Sequence, residues 1–335
     1  MRILFIGDIV GSQGRQIVKD RLADTVAQQQ IDLVVANCEN AAAGFGITPR
    51  LVEELLDTGI DVLTGGNHIF DKRELLDYFA HQPRLLRPAN YPEGAPGTGL
   101  FTGTSPARPW HTDCSGGLPA GAVSSSVSSP GAARASNGPH QSPNVASNPL
   151  ATRHSPLATG VPYAVLNLQG RTFMPPIDCP FRAADRELAR IAASPEPARA
   201  DVQGASADAR RANERAAPRV ILVDFHAETT SEKIAMGYHL DGRVSAVLGT
   251  HTHVPTADEQ ILPGGTAYLT DVGMTGPHNG IIGMDKDAIL RKFLDALPAR
   301  FEPATGNVQL HAALLEVDAT TGKALSIARL KLQID

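Results

Sequence analysis

The stretch Ala246–Glu259 reads AVLGTHTHVPTADE, an apolar run that ends in two histidines, His251 and His253. Imidazoles two residues apart on an extended segment point to the same side, the arrangement of a metal grip, but a pair needs partners from elsewhere. The chain supplies them at four other points: Asp8, Glu39 with Asn40, Asn67 with His68, and His226. Carboxylate, amide and imidazole are the donor types of a mixed oxygen and nitrogen metal site. Each residue alone has a plain structural role. Asp8 could cap a helix, Glu39 and Asn40 could form a turn, Asn67 suits a left-handed turn, and a lone His226 is more often a core histidine. Five independent plain explanations are then needed, whereas one metal site explains all five.

The elements around these residues say how they could converge. RILFIGD is a buried strand, QIVKDRLADTVAQQ has helical periodicity, and IDLVVANCEN is a second strand with a polar end. TPRLVEELLDTG is a helix with Thr48 as N-cap, Pro49 in the first turn and Gly59 as the stop. DVLTGGNH is a third strand, followed by a helix from about Asp71. YAVLNLQGRTFM is strand-like, a helix follows from about Ala183, and RVILVDFHAE, VSAVLGTHTH and TAYLTDVG are strands. DKDAILRKFLDAL is an amphipathic helix, and VQLHAALLEVDATTGKALSIARLKLQI reads as a terminal hairpin. Alternating strands and helices predict an α/β fold, with a parallel or mixed sheet covered by helices. Ligands of such sheets bind at the carboxyl ends of strands, where the candidates stand.

Two segments break the pattern. Residues 102–160 are rich in Ser, Pro, Gly, Ala and Asn, and between Cys114 and Thr152 the one charged residue is Arg134. This composition predicts a disordered insertion rather than a second domain; a functional lid is the rival reading. Residues 194–218 read as a second polar insertion. Hydrophobic residues make up 42% of the 335, enough for a sizeable core. The net charge of −5 offers no basic footprint for long nucleic acid. Three cysteines, Cys38, Cys114 and Cys179, without C-x-x-C spacing argue against a disulfide framework or a zinc ribbon. The start MRILFIGDIVG is unlike a signal peptide, and no apolar run is long enough for a membrane helix. The expectation is a soluble, cytoplasmic protein without membrane partners.

GD on the first strand, GNH on the third, a later lone histidine and a final G-x-H-x-H resemble the calcineurin-like metallophosphoesterase superfamily. FIGDIVGSQGR, NCENAAAGFGIT, TGGNHIFDKRE, LQGRTFM, VDFHAETTSEK, GTHTHVPTAD and LTDVGMTGPHNGIIG resemble its YmdB-like bacterial branch, which is similar to 2′,3′-cyclic-nucleotide phosphodiesterases. The likeness covers nearly the whole chain apart from the two low-complexity segments. It departs from the wider superfamily at Asp8-Ile9-Val10, where a histidine usually stands two residues after the aspartate, and at Glu39, where the bridging residue is usually aspartate.

The resemblance implies one metallophosphoesterase domain over 1–335, a four-layer α/β/β/α sandwich with the long insertion. It implies two metal ions, one held by Asp8, Glu39, Asn40 and His253, the other by Glu39, Asn67, His226 and His251, with Glu39 bridging. The donor set points to Fe or Mn first, then Zn, over Mg. A hydroxide held between the ions would attack phosphorus, and His68 would act as general acid on the leaving oxygen. The implied substrate is a small phosphodiester, in particular a 2′,3′-cyclic nucleotide; a homo-oligomer stays open.

Other residues have weaker roles. Gly44 and Gly46 could let backbone approach a bound phosphate or could serve an ordinary loop. Thr230 or Ser231 caps the helix after His226, and a phosphate contact at Thr230 is the second reading. His278 fits a turn; His81, His111, His140, His154, His239 and His311 receive no role. Gly7, Gly11 and Gly14 have the wrong spacing for a dinucleotide loop. The alternative function is a metal-binding regulatory protein that acts through a partner with little turnover. A metal-dependent amidohydrolase would carry its H-x-H on the first strand, not the late one seen here.

Overall fold

A computed structural model describes residues 1–108, 160–193 and 217–334. The first half of the chain lays down β1 (Arg2–Ile6), β2 (Asp8–Ile9), α1 (Gly11–Gln29), β3 (Leu33–Asn37), α2 (Pro49–Asp57), β4 (Val62–Thr64), α3 (Leu75–Tyr78) and β5 (Leu100–Thr104). Then come β6 (Pro162–Gln169), α4 (Pro180–Ala193), β7 (Val220–His226), α5 (Thr230–Leu240), β8 (Ala246–Thr250), β9 (Gln260–Ile261), β10 (Ala267–Leu269) and β11 (Met274–Pro277). The chain closes with α6 (Lys286–Asp295), β12 (Val308–Val317) and β13 (Ala324–Ile334).

The strands form two sheets. One runs β2-β11-β12-β1-β3-β4, with β13 also paired to β12; the other runs β5-β6-β7-β8-β10-β9. Within the first, β1, β3 and β4 are parallel; within the second, β6, β7, β8 and β10 are parallel. Strand alternation divides the apolar residues between faces. Ile3 and Phe5 of β1 join Leu222, Ala246 and Leu248 of the second sheet in a core shared by both sheets. Leu4 and Ile6 face the other way and pack with Ile17, Val18 and Leu22 of α1 and with Val52 and Leu55 of α2. On the second sheet Val223 and Phe225 pack with Ala184 of α4 and Met236 and Leu240 of α5.

Local signals account for both ends of α2. Thr48 accepts from Leu51 N and Pro49 opens α2, while Gly59 with φ 103° follows its end. The terminal hairpin pairs β12 with β13 from Val308↔Ile334 to Val317↔Ala324. Two expectations fail. The helix from about Asp71 shortens to Leu75–Tyr78 because residues 67–74 turn over the site instead. The insertion does not begin at residue 102: Thr102–Thr104 lie in β5, paired with Ala164–Pro162, and Arg108 bonds Asp61 at 2.8 Å. Residues 109–159 and 194–216, the bulk of both expected insertions, lie outside the described residues.

Candidate metal centre

The parallel strands of both sheets end at one place. β1 leads into Asp8, whose N donates to Gly273 O; β3 leads to Glu39 and Asn40; β4 leads through Gly65 and Gly66 to Asn67 and His68. From the second sheet, β7 ends on His226, and β8 ends on Thr250 just before His251 and His253. A Cβ on Gly66 would collide with the His226 ring and the Glu39 carboxylate, so only glycine leaves room for the two to meet. His251 and His253 have φ of 101° and 64°, a conformation that costs a side-chain-bearing residue energy and persists only where neighbours enforce it.

His226 is the centre of the tighter group. Its Nε2 lies 2.9 Å from Glu39 Oε1, 3.1 Å from Asn67 Oδ1 and 3.0 Å from His251 Nδ1. On the other side of the ring Nδ1 is 2.9 Å from Thr250 Oγ1, and that hydroxyl donates its one hydrogen to Asp224 Oδ1 at 2.7 Å. Thr250 must therefore accept from Nδ1, which leaves Nε2 with its lone pair inward. His251 repeats the logic: Nε2 meets Glu228 Oε2 at 2.9 Å and Nδ1 faces the centre. Among the described residues, Glu39, His226 and His251 form the one group of His, Cys, Asp or Glu whose ligand atoms all lie within 4.8 Å of one another.

The second group is looser. His253 Nε2 is 3.7 Å from Asp8 Oδ1 and 3.1 Å from Asn40 Nδ2, while its Nδ1 donates to Ile282 O at 2.8 Å. A half-turn of the Asn40 amide would put its oxygen inward at the same position. Asp8 Oδ2 accepts from His251 N at 3.2 Å, which ties this group to the first.

His68 stands beside both groups without joining either through its ring. Its backbone N donates to Glu39 Oε2 at 2.9 Å, its Nδ1 is 2.8 Å from Asp71 Oδ2, and Phe45 packs edge-on at 5.1 Å. With Nδ1 committed to Asp71, Nε2 is the nitrogen left for proton transfer.

The electrostatics are those of a cation site. Asp8, Glu39 and Asp224 are fully buried. Burial raises the Asp8 carboxyl against the pull of His253 and His226, and it raises Asp224 to about 6. Burial also acts upward on Glu39, but His226 and His68 outweigh it and hold Glu39 down at about 2. Burial opposes the charge on His226, yet Glu39, Asp8 and Asp224 lift it to about 9. His251 is pushed to about 3, by burial first and then by His226, so it keeps the neutral form that binds metals. A proton on His226 Nε2 can serve one of three facing atoms; a cation serves all of them. Asp8 Oδ1 makes no hydrogen bond among the described residues although it is buried, and Glu39 Oε1 faces His226 Nε2 at 2.9 Å. An orphaned carboxylate oxygen, a second carboxylate, three inward imidazole nitrogens and the Asn67 oxygen fit transition-metal ions.

Of the residues singled out in the sequence, Asp8, Glu39, Asn40, Asn67, His68, His226, His251 and His253 come together. Gly44 N donates to Asn40 O at 3.1 Å, and Gly44 and Gly46 have φ of 91° and 76°, the left-handed conformation that suits glycine. The N-cap of α5 is Thr229 rather than Thr230 or Ser231, and Thr230 is exposed in the first turn. Asp8 caps nothing, because α1 begins at Gly11 after Val10. The sequence reading missed Asp71, Asp224, Glu228 and Thr250. Asp224 was findable, since it sits two residues before His226 on one strand and so shares its face.

The chain matches the family described as YmdB-like protein over residues 4–109 and 133–330. It is 40% identical over 335 residues to the 2′,3′-cyclic-nucleotide 2′-phosphodiesterase of Bacillus subtilis (strain 168), covering all of this chain and 98% of that protein. A crystal structure of a hypothetical protein from Thermus thermophilus aligns with a TM-score of 0.70 and 33% identity, covering 99% of each chain. A crystal structure of a novel phosphatase from Mycoplasma pneumoniae aligns with a TM-score of 0.70 and 27% identity, covering 99% of this chain and 93% of that one.

Proposed function

Since the chain belongs to the YmdB-like family, we propose that it is a metal-dependent phosphoric diester hydrolase whose substrates are small phosphodiesters, 2′,3′-cyclic nucleotides foremost. The observation that carries this reading is the crowd of acceptor atoms around His226 Nε2, beside a histidine with one free ring nitrogen. The three core clusters support a four-layer α/β/β/α sandwich, with 1–335 as one domain.

Asp8, Asn40 and His253 would hold one ion, and Asn67, His226 and His251 the other, with Glu39 shared. Fe or Mn suits this mixed donor set, and Zn comes next. Two such ions supply Lewis acidity, activating water near neutral pH and neutralising charge on a phosphoryl group. The protein's own groups do the rest. Outer acceptors fix each histidine: Thr250 for His226, Glu228 for His251 and Ile282 O for His253. As an imidazolium, His68 would donate its Nε2 proton to the leaving ribose oxygen and return to the neutral ring, while Asp71 keeps accepting from Nδ1–H and so fixes the ring's orientation. A regulatory protein without turnover has no use for an imidazole oriented in this way.

The test is turnover on a panel of cyclic and linear nucleotides, with metal content measured beside it for wild type and His68→Ala. We expect hydrolysis of 2′,3′-cyclic nucleotides, and a variant slower by about 10²–10⁴ that keeps its ions. A His68→Ala protein without metal would place His68 among the ligands and overturn its role. No turnover of any phosphodiester by metal-loaded wild type would overturn the function. A deletion that removes the insertion should span 109–159, because Ser105 and Arg108 are bonded into the fold.

A further inference from the structure

One buried ion pair beside the site has no part in the chemistry above. Lys233 is 1% exposed and opens the inward stripe of α5, which continues with Met236, Gly237 and Leu240. An apolar residue is the ordinary occupant of that position. Lys233 Nζ instead donates to Asp271 Oδ2 at 2.6 Å and to Thr250 O at 2.7 Å. Asp271, fully buried, accepts from Thr252 Oγ1 at 2.8 Å and Thr252 N at 3.2 Å through Oδ2, and from Gly273 N at 2.8 Å through Oδ1. Gly273 O in turn accepts from Asp8 N at 3.2 Å.

The pair therefore grips the backbone on both sides of His251, through Thr250 O and Thr252 N, and reaches the backbone of Asp8 through Gly273. Among the described residues, neither charged group hydrogen-bonds the side chain of a candidate ligand. A buried lysine–aspartate pair loses the hydration of two charges, and an apolar pair of similar volume often gives equal or better stability. What an apolar pair cannot do is hold Thr250 O and Thr252 N in place. Those are the peptide groups that flank His251 with its φ of 101° and precede His253 with its φ of 64°. Backbone strain of this kind lasts only where surrounding bonds over-determine it.

We propose that Lys233 and Asp271 are positioning residues that lock the Thr250–His253 segment in the conformation that presents His251 and His253 to the metal ions; this rests on the metal-site reading above. The probe is Mn²⁺ titrated into chelator-stripped protein, with hydrogen exchange of residues 250–254 and thermal unfolding measured in parallel. Lys233→Met and Asp271→Asn should each weaken Mn²⁺ binding about 10–100-fold, the usual cost of losing an outer partner of a metal site. Exchange at 250–254 should quicken more than elsewhere in the chain. Lys233→Arg, which keeps a donor at that position, should retain more affinity than Lys233→Met.

The double variant Lys233→Met/Asp271→Leu covers the case in which single variants fold poorly. It should recover thermal stability and still bind Mn²⁺ weakly. Wild-type affinity and unchanged exchange in the double variant would reduce the pair to a packing element and overturn the proposal. Wild-type protein that takes up none of Mn²⁺, Fe²⁺ or Zn²⁺ would overturn the metal-site reading and this proposal with it.

Discussion

Two pairs of histidines lie almost equally close in this molecule and live in opposite surroundings. The rings of His226 and His251 are 4.7 Å apart, and those of His278 and His311 are 4.8 Å apart. Both pairs tie one nitrogen of each ring outward. In the second pair His278 Nδ1 donates to Gly276 O at 2.9 Å, and His311 Nε2 meets Gln309 Oε1 at 3.0 Å. The other nitrogens, His278 Nε2 and His311 Nδ1, are buried without a hydrogen-bond partner among the described residues. The difference is charge. Glu39, Asp8 and Asp224 surround His226, whereas Lys331 acts on both His278 and His311, and Arg329 on His311. His226 is lifted to about 9 despite its burial; His311 is pushed down to about 4 by burial, then by His278, Lys331 and Arg329. Close imidazoles alone make no metal site. In the proposed site the buried carboxylates make the difference, because they would make a cation cheaper to hold there than close imidazoles alone could.

The sharpest way to break this contrast is to take the charge from Glu39 while keeping its shape. Glu39→Gln leaves His226 and His251 packed as before but removes the carboxylate that both ions would share. We expect loss of both ions in metal analysis and a fall in phosphodiester turnover beyond the roughly 10²–10⁴ that a general acid supplies. A Glu39→Gln protein that keeps two ions would show that the imidazoles suffice and would refute the comparison.

The same contrast explains what the sequence could and could not tell. Asp8, Glu39, Asn67, His226 and His251 stood out because parallel strands end together, so polar residues at several strand ends must meet. Asp224 lies inside an apolar run and passed for strand, although the two-residue period places it on the face of His226. Thr250 is in register with His226 across β7 and β8, a pairing no local pattern displays. Lys233 and Asp271 are 38 residues apart, and their meeting depends on how α5 packs over the second sheet. The 67–74 segment carries helix-forming residues such as Lys72, Arg73 and Glu74, yet it turns, because His68 N bonds Glu39 and His68 Nδ1 bonds Asp71. Side-chain bonds to the site outcompete helix propensity there.

A smaller effect would separate the tight group around His226 from the proposed proton donor His68 beside it. Asp71→Asn keeps the ligands and disturbs only the orientation of His68. Turnover of a cyclic nucleotide should fall by about tenfold, short of the full loss of a general acid. With p-nitrophenyl esters, whose leaving group needs no proton, the fall should nearly vanish. Equal losses on both substrates would mean that Asp71 supports the metal ligands instead.

The smallest effect concerns the second pair and is read in stability. His311 is 6% exposed and held neutral, with a folded value of about 4 against 6.5 when unfolded. Between those values the unfolded chain binds more protons than the folded one, so stability falls as pH drops from 6.5 toward 4. His311→Gln removes that group. It should cost about 1 kcal/mol at pH 7, the common size of a single core substitution, and the gap to wild type should narrow as the pH is lowered. His251, pushed to about 3, adds an acid sensitivity of its own. It does so in both proteins, so the difference between their unfolding curves reports on His311 together with the His278 ring beside it. A gap that stays constant from pH 7 to pH 4 would mean that His311 protonates in place. The two histidine pairs would then differ less in their tolerance of charge than their neighbours imply.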